Sequence, residues 1–329
     1  MKLLVTGACG FIGSSYVRLA GEEHEVVVLD KLTYAGRQEN LEGLDVQLVV
    51  GAIEDPGTVR EAMEGCEAVV NFAAESHVDR SISDQEAFAR THVIGTSVLL
   101  DAARELGVGR YIQVSTDEVY GSIESGSFTE GSPLDPSSPY SATKAAGDLL
   151  VSAHAHTYGI EALICRGSNN YGPRQYPEKL MPLMILNALN GDRLPVYGDG
   201  RNVRNWLYVE DFCRAIHTVL LQGRPGEAYN AGGPDELENI EVVQRILALT
   251  GRDESLIDYV EDRLGHDRRY SLASDKLRSE LGWQPVIRFA EGLERTLQWY
   301  RDNEWWWGPI RSGAYRDYYE KQYGRSLSR

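Results

Sequence analysis

Residues 2–13 read K-L-L-V-T-G-A-C-G-F-I-G, and residues 25–30 read E-V-V-V-L-D. These two stretches decide the fold. Residues 2–5 and 25–29 are apolar with no alternation, the pattern of strands covered on both faces in a parallel sheet. Between them, Gly7, Gly10 and Gly13 lead into a helical run at 14–20. Glycines so placed permit a tight turn and bring the free N–H groups of a helix start close to a pyrophosphate, whose charge the helix dipole favours. Asp30, 17 residues past Gly13 at the next strand end, can accept both hydroxyls of an adenosine ribose and would repel a 2′-phosphate. Strand, glycine turn, helix, strand and carboxylate together predict a dinucleotide site, for NAD rather than NADP.

The same alternation continues outward. Strands are expected at 46–50, at 68–72 and from Tyr111, with helices at 56–63 and 85–105. The chain therefore reads as an α/β protein with a doubly wound parallel sheet, in which ligands sit beyond the carboxyl ends of the strands. The fourth strand ends in Ala73 and Ala74, small enough for a flat cofactor to press against. Ser76 follows, within reach of a substrate hydroxyl, while His77 and Arg80 read as loop and ion-pair residues. The fifth strand ends in S-T-D-E at 115–118. Thr116, Asp117 and Glu118 can there supply a hydrogen-bond donor, an acid and a base. Downstream, Tyr140 and Lys144 open a helix and share one face at i, i+4. An ammonium beside a phenol favours the phenolate and lowers its pKa, so Tyr140 can take a proton from an alcohol as hydride leaves its carbon.

Charge narrows the partners. The chain has 329 residues, with 33 Lys and Arg against 49 Asp and Glu, a net charge of −16. That balance argues against nucleic acid or an anionic membrane surface. Cys9, Cys66, Cys165 and Cys213 lack zinc-type or Cys-x-x-Cys spacing, so they read as buried small residues in a reducing compartment, and no metal site is expected. With a strand at the N-terminus and no long apolar run, a cytoplasmic location is expected.

After a strand at 161–166 the alternation breaks. S-N-N-Y-G-P at 168–173 is rich in amides and turn residues, and P-E-K-L at 177–180 begins a helix. A short strand is expected at 194–197, and residues 202–211 are expected to return to the main sheet. Lys179, Arg204, Arg263 and His266 are basic groups that a diphosphate would need. Helices follow at 241–249, 275–281 and 289–300, and the aromatic tail (Trp305, Trp306, Trp307, Tyr315, Tyr318, Tyr319, Tyr323) is expected to pack on this second domain rather than bind ligand. Two domains are thus predicted: an NAD-binding Rossmann domain of 1–166 plus about 205–232, and a smaller α/β substrate domain of 167–204 and 233–329.

Gly7, Gly10, Gly13, Asp30, Tyr140 and Lys144 resemble the extended short-chain dehydrogenase/reductase superfamily. Within it, A-A-E-S-H-V-D-R-S at 73–81, S-T-D-E-V-Y-G at 115–121, S-N-N-Y-G-P, P-E-K-L and R-L-G-H-D-R-R-Y at 263–270 resemble the nucleoside-diphosphate-hexose 4,6-dehydratases. The resemblance runs over about 1–299 and implies an NAD-dependent lyase acting on dTDP-glucose in deoxysugar biosynthesis. By it, Tyr140 takes the C4 hydroxyl proton as hydride leaves, Glu118 removes the acidified C5 proton, and Asp117 protonates the departing C6 hydroxyl. Thr116 would hydrogen-bond the C4 oxygen, and Lys144 would hold Tyr140 and the nicotinamide ribose. Phe11, Ile12, Lys31, Leu32, Thr33, Ala52, Ile53, Phe72, Ala73, Ala74, Thr91 and Asn170 would complete the cofactor site. Ser76, Asn169, Lys179, Leu180, Pro195, Val196, Tyr197, Arg204, Asn239, Arg263 and His266 would hold the substrate, with Tyr197 stacked on the base.

Two alternatives stay open: a 4-epimerase, which needs the tyrosine and NAD but neither carboxylate, and a dehydratase acting on a UDP-sugar. Four positions depart from the family pattern. Ala52 and Asn205 stand where Asp is usual, His92 where Asn is, and Leu264 where Pro is; Ala52 leaves adenine without a side-chain hydrogen bond. The family pairs the helices near 85–105 and 140–157 into a four-helix bundle, so a homodimer is expected.

Overall fold

The structure is a computed structural model that describes residues 1–262, 264–312, 314–324 and 327. In chain order its strands are β1 (Lys2–Thr6), β2 (Glu25–Asp30), β3 (Gln47–Val50), β4 (Ala68–Asn71), β5 (Arg110–Thr116), β6 (Ala162–Gly167), β7 (Asn169–Tyr171), β8 (Leu194–Tyr197), β9 (Val203–Tyr208), β10 (Ala228–Ala231), β11 (Asp235–Glu238) and β12 (Ile257–Val260). Seven form one parallel sheet in the order β10-β6-β5-β4-β1-β2-β3. The order reverses between β1 and β4, which places a crevice at their carboxyl ends.

Side-chain alternation explains the unbroken apolar runs. Leu3, Val5, Val26 and Val28 face helices Phe11–Ala20 and Val209–Gln222, whereas Leu4, Val27 and Leu29 face helices Pro56–Met63 and Thr96–Leu106. Both faces of the sheet are therefore covered. All four cysteines are buried and free. The helix expected at 85–105 is divided: helix Gln85–Ala89, a π-helical stretch Arg90–Gly95, then helix Thr96–Leu106.

One strand departs from expectation. β9 does not return to the main sheet; it pairs in parallel with β7 and antiparallel with β11. Its aromatic residues account for this, because Trp206 and Tyr208 pack with Tyr171 and Phe289 in a second core, while Leu207 alone points to the first. The chain rejoins the main sheet only with helix Val209–Gln222 and β10.

The second core is built from helices Leu180–Asn190, Asn239–Thr250 and Phe289–Asp302, with β8 paired to β12 beside them. Trp306, Trp307, Tyr315 and Tyr319 pack there as expected, while Trp305 is exposed and the side chain of Tyr318 lies outside the described residues. Trp306 Nε1 also donates to Asn40 Oδ1 at 2.7 Å, tying the tail to the 3-10 turn Gln38–Leu41. No described helix is long and apolar enough to cross a membrane.

Candidate active site

A cleft of about 300 Å³ opens at the carboxyl ends of the main-sheet strands. Gly7, at φ +66°, makes the turn beneath it: a Cβ there would lie 2.6 Å from the Ala73 nitrogen, and a Cβ at Gly13 would lie 2.5 Å from the Gly7 carbonyl oxygen. Only hydrogen fits at either position. Asp30 is buried and held from both sides, Oδ2 accepting from the Cys9 N–H at 2.9 Å and Oδ1 from the Leu32 N–H at 2.8 Å. Phe11, Ile12, Lys31, Thr33, Ile53, Phe72, Ala73, Ala74, Thr91 and Asn170 line the same cleft, as do Gly10, Tyr140 and Lys144. The side-chain oxygens of Ser115, Asn169 and Asn170 are buried there with no hydrogen-bond partner in the chain. A close-approach glycine cradle, a fixed carboxylate and orphaned amide oxygens fit a dinucleotide. Leu32 and Ala52 do not line the cleft. Leu32, at φ +52°, packs its side chain on the main core, and of residues 51–53 only Gly51 and Ile53 border the cleft.

β5 ends in a single 3-10 turn, Asp117–Tyr120, which Thr116 caps. Thr116 Oγ1 accepts from the Glu118 N–H at 3.3 Å and donates to Asp117 Oδ1 at 3.1 Å. The turn places the two carboxylates in unlike surroundings: Asp117 is 2% exposed, and Glu118 is partly open to the cleft. Asp117 Oδ2 has no hydrogen-bond partner. Burial, then the Glu118 charge, pushes the Asp117 pKa up to about 7, against smaller opposing pulls from Thr116 and Arg204. Such a carboxyl keeps its proton close to neutrality.

Tyr140 sits in the first turn of helix Pro139–Tyr158, which a Ser138–Ser141 capping box starts. Lys144 follows one turn on, and its Nζ donates to the Val114 carbonyl at 2.7 Å. Burial lowers the lysine's pKa to about 8. The phenol, however, is not pulled down as the Tyr-Lys spacing predicts. Burial, Glu118 and Asp117 all raise the Tyr140 pKa, and a Thr116 hydrogen bond only partly offsets them. The spacing argument missed the two carboxylates aimed at the same phenol. Behind Tyr140, the His92 ring lies edge-on at 5.8 Å, with Nδ1 2.8 Å from Thr143 Oγ1.

Ser76, Thr116, Asn169 and Lys179 line the cleft, and Lys179 Nζ donates to the Ser76 carbonyl. The remaining substrate candidates do not. Leu180 heads its helix against the second core, and Pro195 and Val196 are buried because β8 lies against helices Leu180–Asn190 and Asn239–Thr250. Tyr197 Oη donates to Asp79 Oδ2 at 3.1 Å, and its ring adjoins that of His266 at 6.1 Å. Arg204 stacks over Tyr270 at 4.4 Å and donates to the Asp267 carbonyl at 3.0 Å. Asn239 begins its helix with its N–H donating to the Asn202 carbonyl at 3.0 Å. Arg263 lies outside the described residues.

Sequence reasoning did not single out Glu54, Gln175, Tyr176 or Glu178, which also line the cleft. Glu178 is buried and accepts from Tyr34 Oη at 2.7 Å. The irregular stretch at 173–178 was the one available signal.

A profile of the GDP-mannose 4,6 dehydratase family matches residues 4–296. A dTDP-glucose 4,6-dehydratase of Streptomyces niveus is 50% identical over 323 residues, 95% of this chain and 96% of that one. The chain belongs to the nucleotide-sugar 4,6-dehydratases. Among solved structures, the Streptomyces venezuelae dTDP-glucose 4,6-dehydratase DesIV, crystallised with NAD bound, is similar at a TM-score of 0.92 and 52% identity, covering 94% of this chain and 100% of that one. A Thermotoga maritima UDP-glucose 4-epimerase is similar at 0.87 and 31%, covering 92% of this chain and 99% of that one. Dehydratase and epimerase thus share the scaffold.

Proposed function

We propose that this chain is an NAD-dependent dTDP-glucose 4,6-dehydratase. The observation that carries the reading is Asp117, buried and proton-holding beside the more open Glu118, in one cleft with Tyr140 and the glycine cradle. An epimerase has no use for that pair. Gly7, Gly10, Phe11, Ile12 and Gly13 would hold the pyrophosphate of NAD, Asp30 the adenosine ribose, Ile53 the adenine and Asn170 the nicotinamide. NAD, when bound, supplies the hydride acceptor for C4 and the hydride donor for C6.

Tyr140 Oη receives the C4 hydroxyl proton while Thr116 holds the C4 oxygen. Lys144, anchored on the Val114 carbonyl, places its cation beneath the site and favours the phenolate that the nearby carboxylates oppose. The C4 ketone acidifies C5–H, and Glu118, on the open side, removes that proton. Asp117 gives its proton to the C6 hydroxyl, which leaves as water; Glu118 would return its proton to C5 as C6 takes up a hydride, and the proton held by Tyr140 makes good the one that Asp117 gave up. The balance is loss of one water with no net oxidation.

Ser76, Asn169 and Lys179 hold the sugar and its phosphates. Tyr197, Arg204 and His266, neighbours around the loop at 262–270, take the diphosphate and base, with Leu180, Asn239 and Arg263 flanking them by family resemblance. The enzyme is cytoplasmic and homodimeric. Ile94, in the π-helical stretch, and Leu149 and Tyr158, on helix Pro139–Tyr158, are 49%, 61% and 53% exposed and support pairing through a four-helix bundle. Incubation with dTDP-, UDP- and GDP-hexoses tests the activity: a base-developed 4-keto chromophore is expected with dTDP-glucose. Formation of a 4-epimer without chromophore would overturn the reading, and sedimentation as a monomer would overturn the dimer.

A further inference from the structure

At the amino ends of the strands, on the edge of the sheet away from the cleft, Glu23, His24 and His217 converge. One ligand atom from each lies within 4.8 Å of the other two. His24 follows the turn after helix Phe11–Ala20, and His217 projects from helix Val209–Gln222, so the cluster joins two elements distant in sequence. The two imidazole rings have centroids 5.3 Å apart. Both ring nitrogens of His24 are shielded from solvent, and neither has a hydrogen-bond partner in the chain. Dry, unpartnered nitrogens are costly and call for something to bind them. His217 Nδ1 lies 3.4 Å from the hydroxyl of the fully buried Tyr16. That contact fixes the ring and leaves Nε2 as the outward ligand atom, as an outer hydrogen bond does for metal-bound imidazoles.

We propose that Glu23, His24 and His217 form a structural site for a divalent transition-metal ion, suited to Zn²⁺ with water as a fourth ligand, that staples the turn after helix Phe11–Ala20 to helix Val209–Gln222. Two imidazoles and one carboxylate suit zinc and its neighbours, whereas Ca²⁺ and Mg²⁺ want oxygen ligands throughout. The cysteine spacings give no hint of it, because the three ligands meet only in the fold.

The test uses the full chain, stripped with EDTA and desalted, titrated calorimetrically with ZnCl₂ and melted with and without it. One Zn²⁺ per chain and a higher Tm are expected. His24→Ala and His217→Ala should each weaken binding at least about tenfold and abolish the Tm rise, and Glu23→Gln should weaken it by a few-fold. Metal-free circular dichroism and Tm matching the unsubstituted chain show that the variants fold. Co²⁺ should give a tetrahedral visible spectrum that the His24→Ala chain lacks. No zinc binding, or equal zinc affinity in the unsubstituted and both histidine-substituted chains, would overturn the proposal.

Discussion

The proposed cofactor side of the cleft and the proposed nucleotide-sugar region beside it differ in how their residues arrive. On the first, Gly7, Asp30, Ile53 and Ala73 stand at or just past the ends of β1 to β4, each delivered by the strand it follows, and Gly13 lies in the first turn of the helix after β1. On the second, Tyr197, Arg204 and His266 come from β8, β9 and a loop, brought together by pairings between strands far apart in sequence. A site written into backbone turns can be read along the chain. A site made by convergence of side chains cannot, since each basic residue alone looks like any other surface charge.

The largest effect should come from the residues between the two sides. In Asp117→Asn with Glu118→Gln, turnover of dTDP-glucose should fall by about 10³-fold or more, while the substrate is still oxidised at C4. Reduced-nicotinamide absorbance together with product analysis reads both. Full turnover would remove the two carboxylates from the chemistry.

On the cofactor side, Gly7→Ala forces a methyl into the Ala73 backbone at a left-handed φ of +66°. NAD affinity, followed by fluorescence titration, should drop by at least about tenfold, with the conformational cost alone near 1–2 kcal/mol. Across the cleft, Tyr197→Leu should be milder. Loss of base stacking should raise KM for dTDP-glucose by roughly three- to tenfold and leave kcat unchanged. A Tyr197 effect as large as that of Gly7 would break the comparison, because it would make the outlying aromatic as necessary as the cradle.

Legibility followed the same division. The strand-by-strand sheet, the glycine cradle, Asp30 and the Tyr140–Lys144 helix were all visible in local pattern. β9 was misplaced because its apolar residues could serve either core, and Trp206 and Tyr208, which pack with Tyr171 and Phe289 in the second, decide it. Pro195 and Val196 are expected at the nucleotide by family resemblance alone, since β8 packs against two helices and its local pattern reads as core. The raised pKa of Tyr140 was likewise hidden, since sequence spacing records the lysine one turn away but not the carboxylates across the cleft. Glu178 and Gln175 lie in irregular chain, where no periodicity reports which way a side chain points.

The smallest expected effect isolates one proton. Asp117 ionises near its ordinary 3.8 in the unfolded chain and at about 7 in the fold. Below about pH 4 both states hold the proton and no penalty arises. Between about 4 and 7 the unfolded chain has released it and the folded chain has not, so stability falls as pH rises; above about 7 both are ionised and the loss is complete. Asn at this position is neutral throughout and removes the penalty. Asp117→Asn should therefore melt close to the unsubstituted chain at pH 4 and a few degrees above it at pH 8, with the gain flat beyond. The same proton limits catalysis, so kcat of the unsubstituted enzyme should decline above about pH 7, where the acid for the C6 hydroxyl is lost. A Tm difference equal at both pH values would mean that Asp117 is not desolvated in the fold, and the contrast between the buried acid and the open Glu118 would go with it.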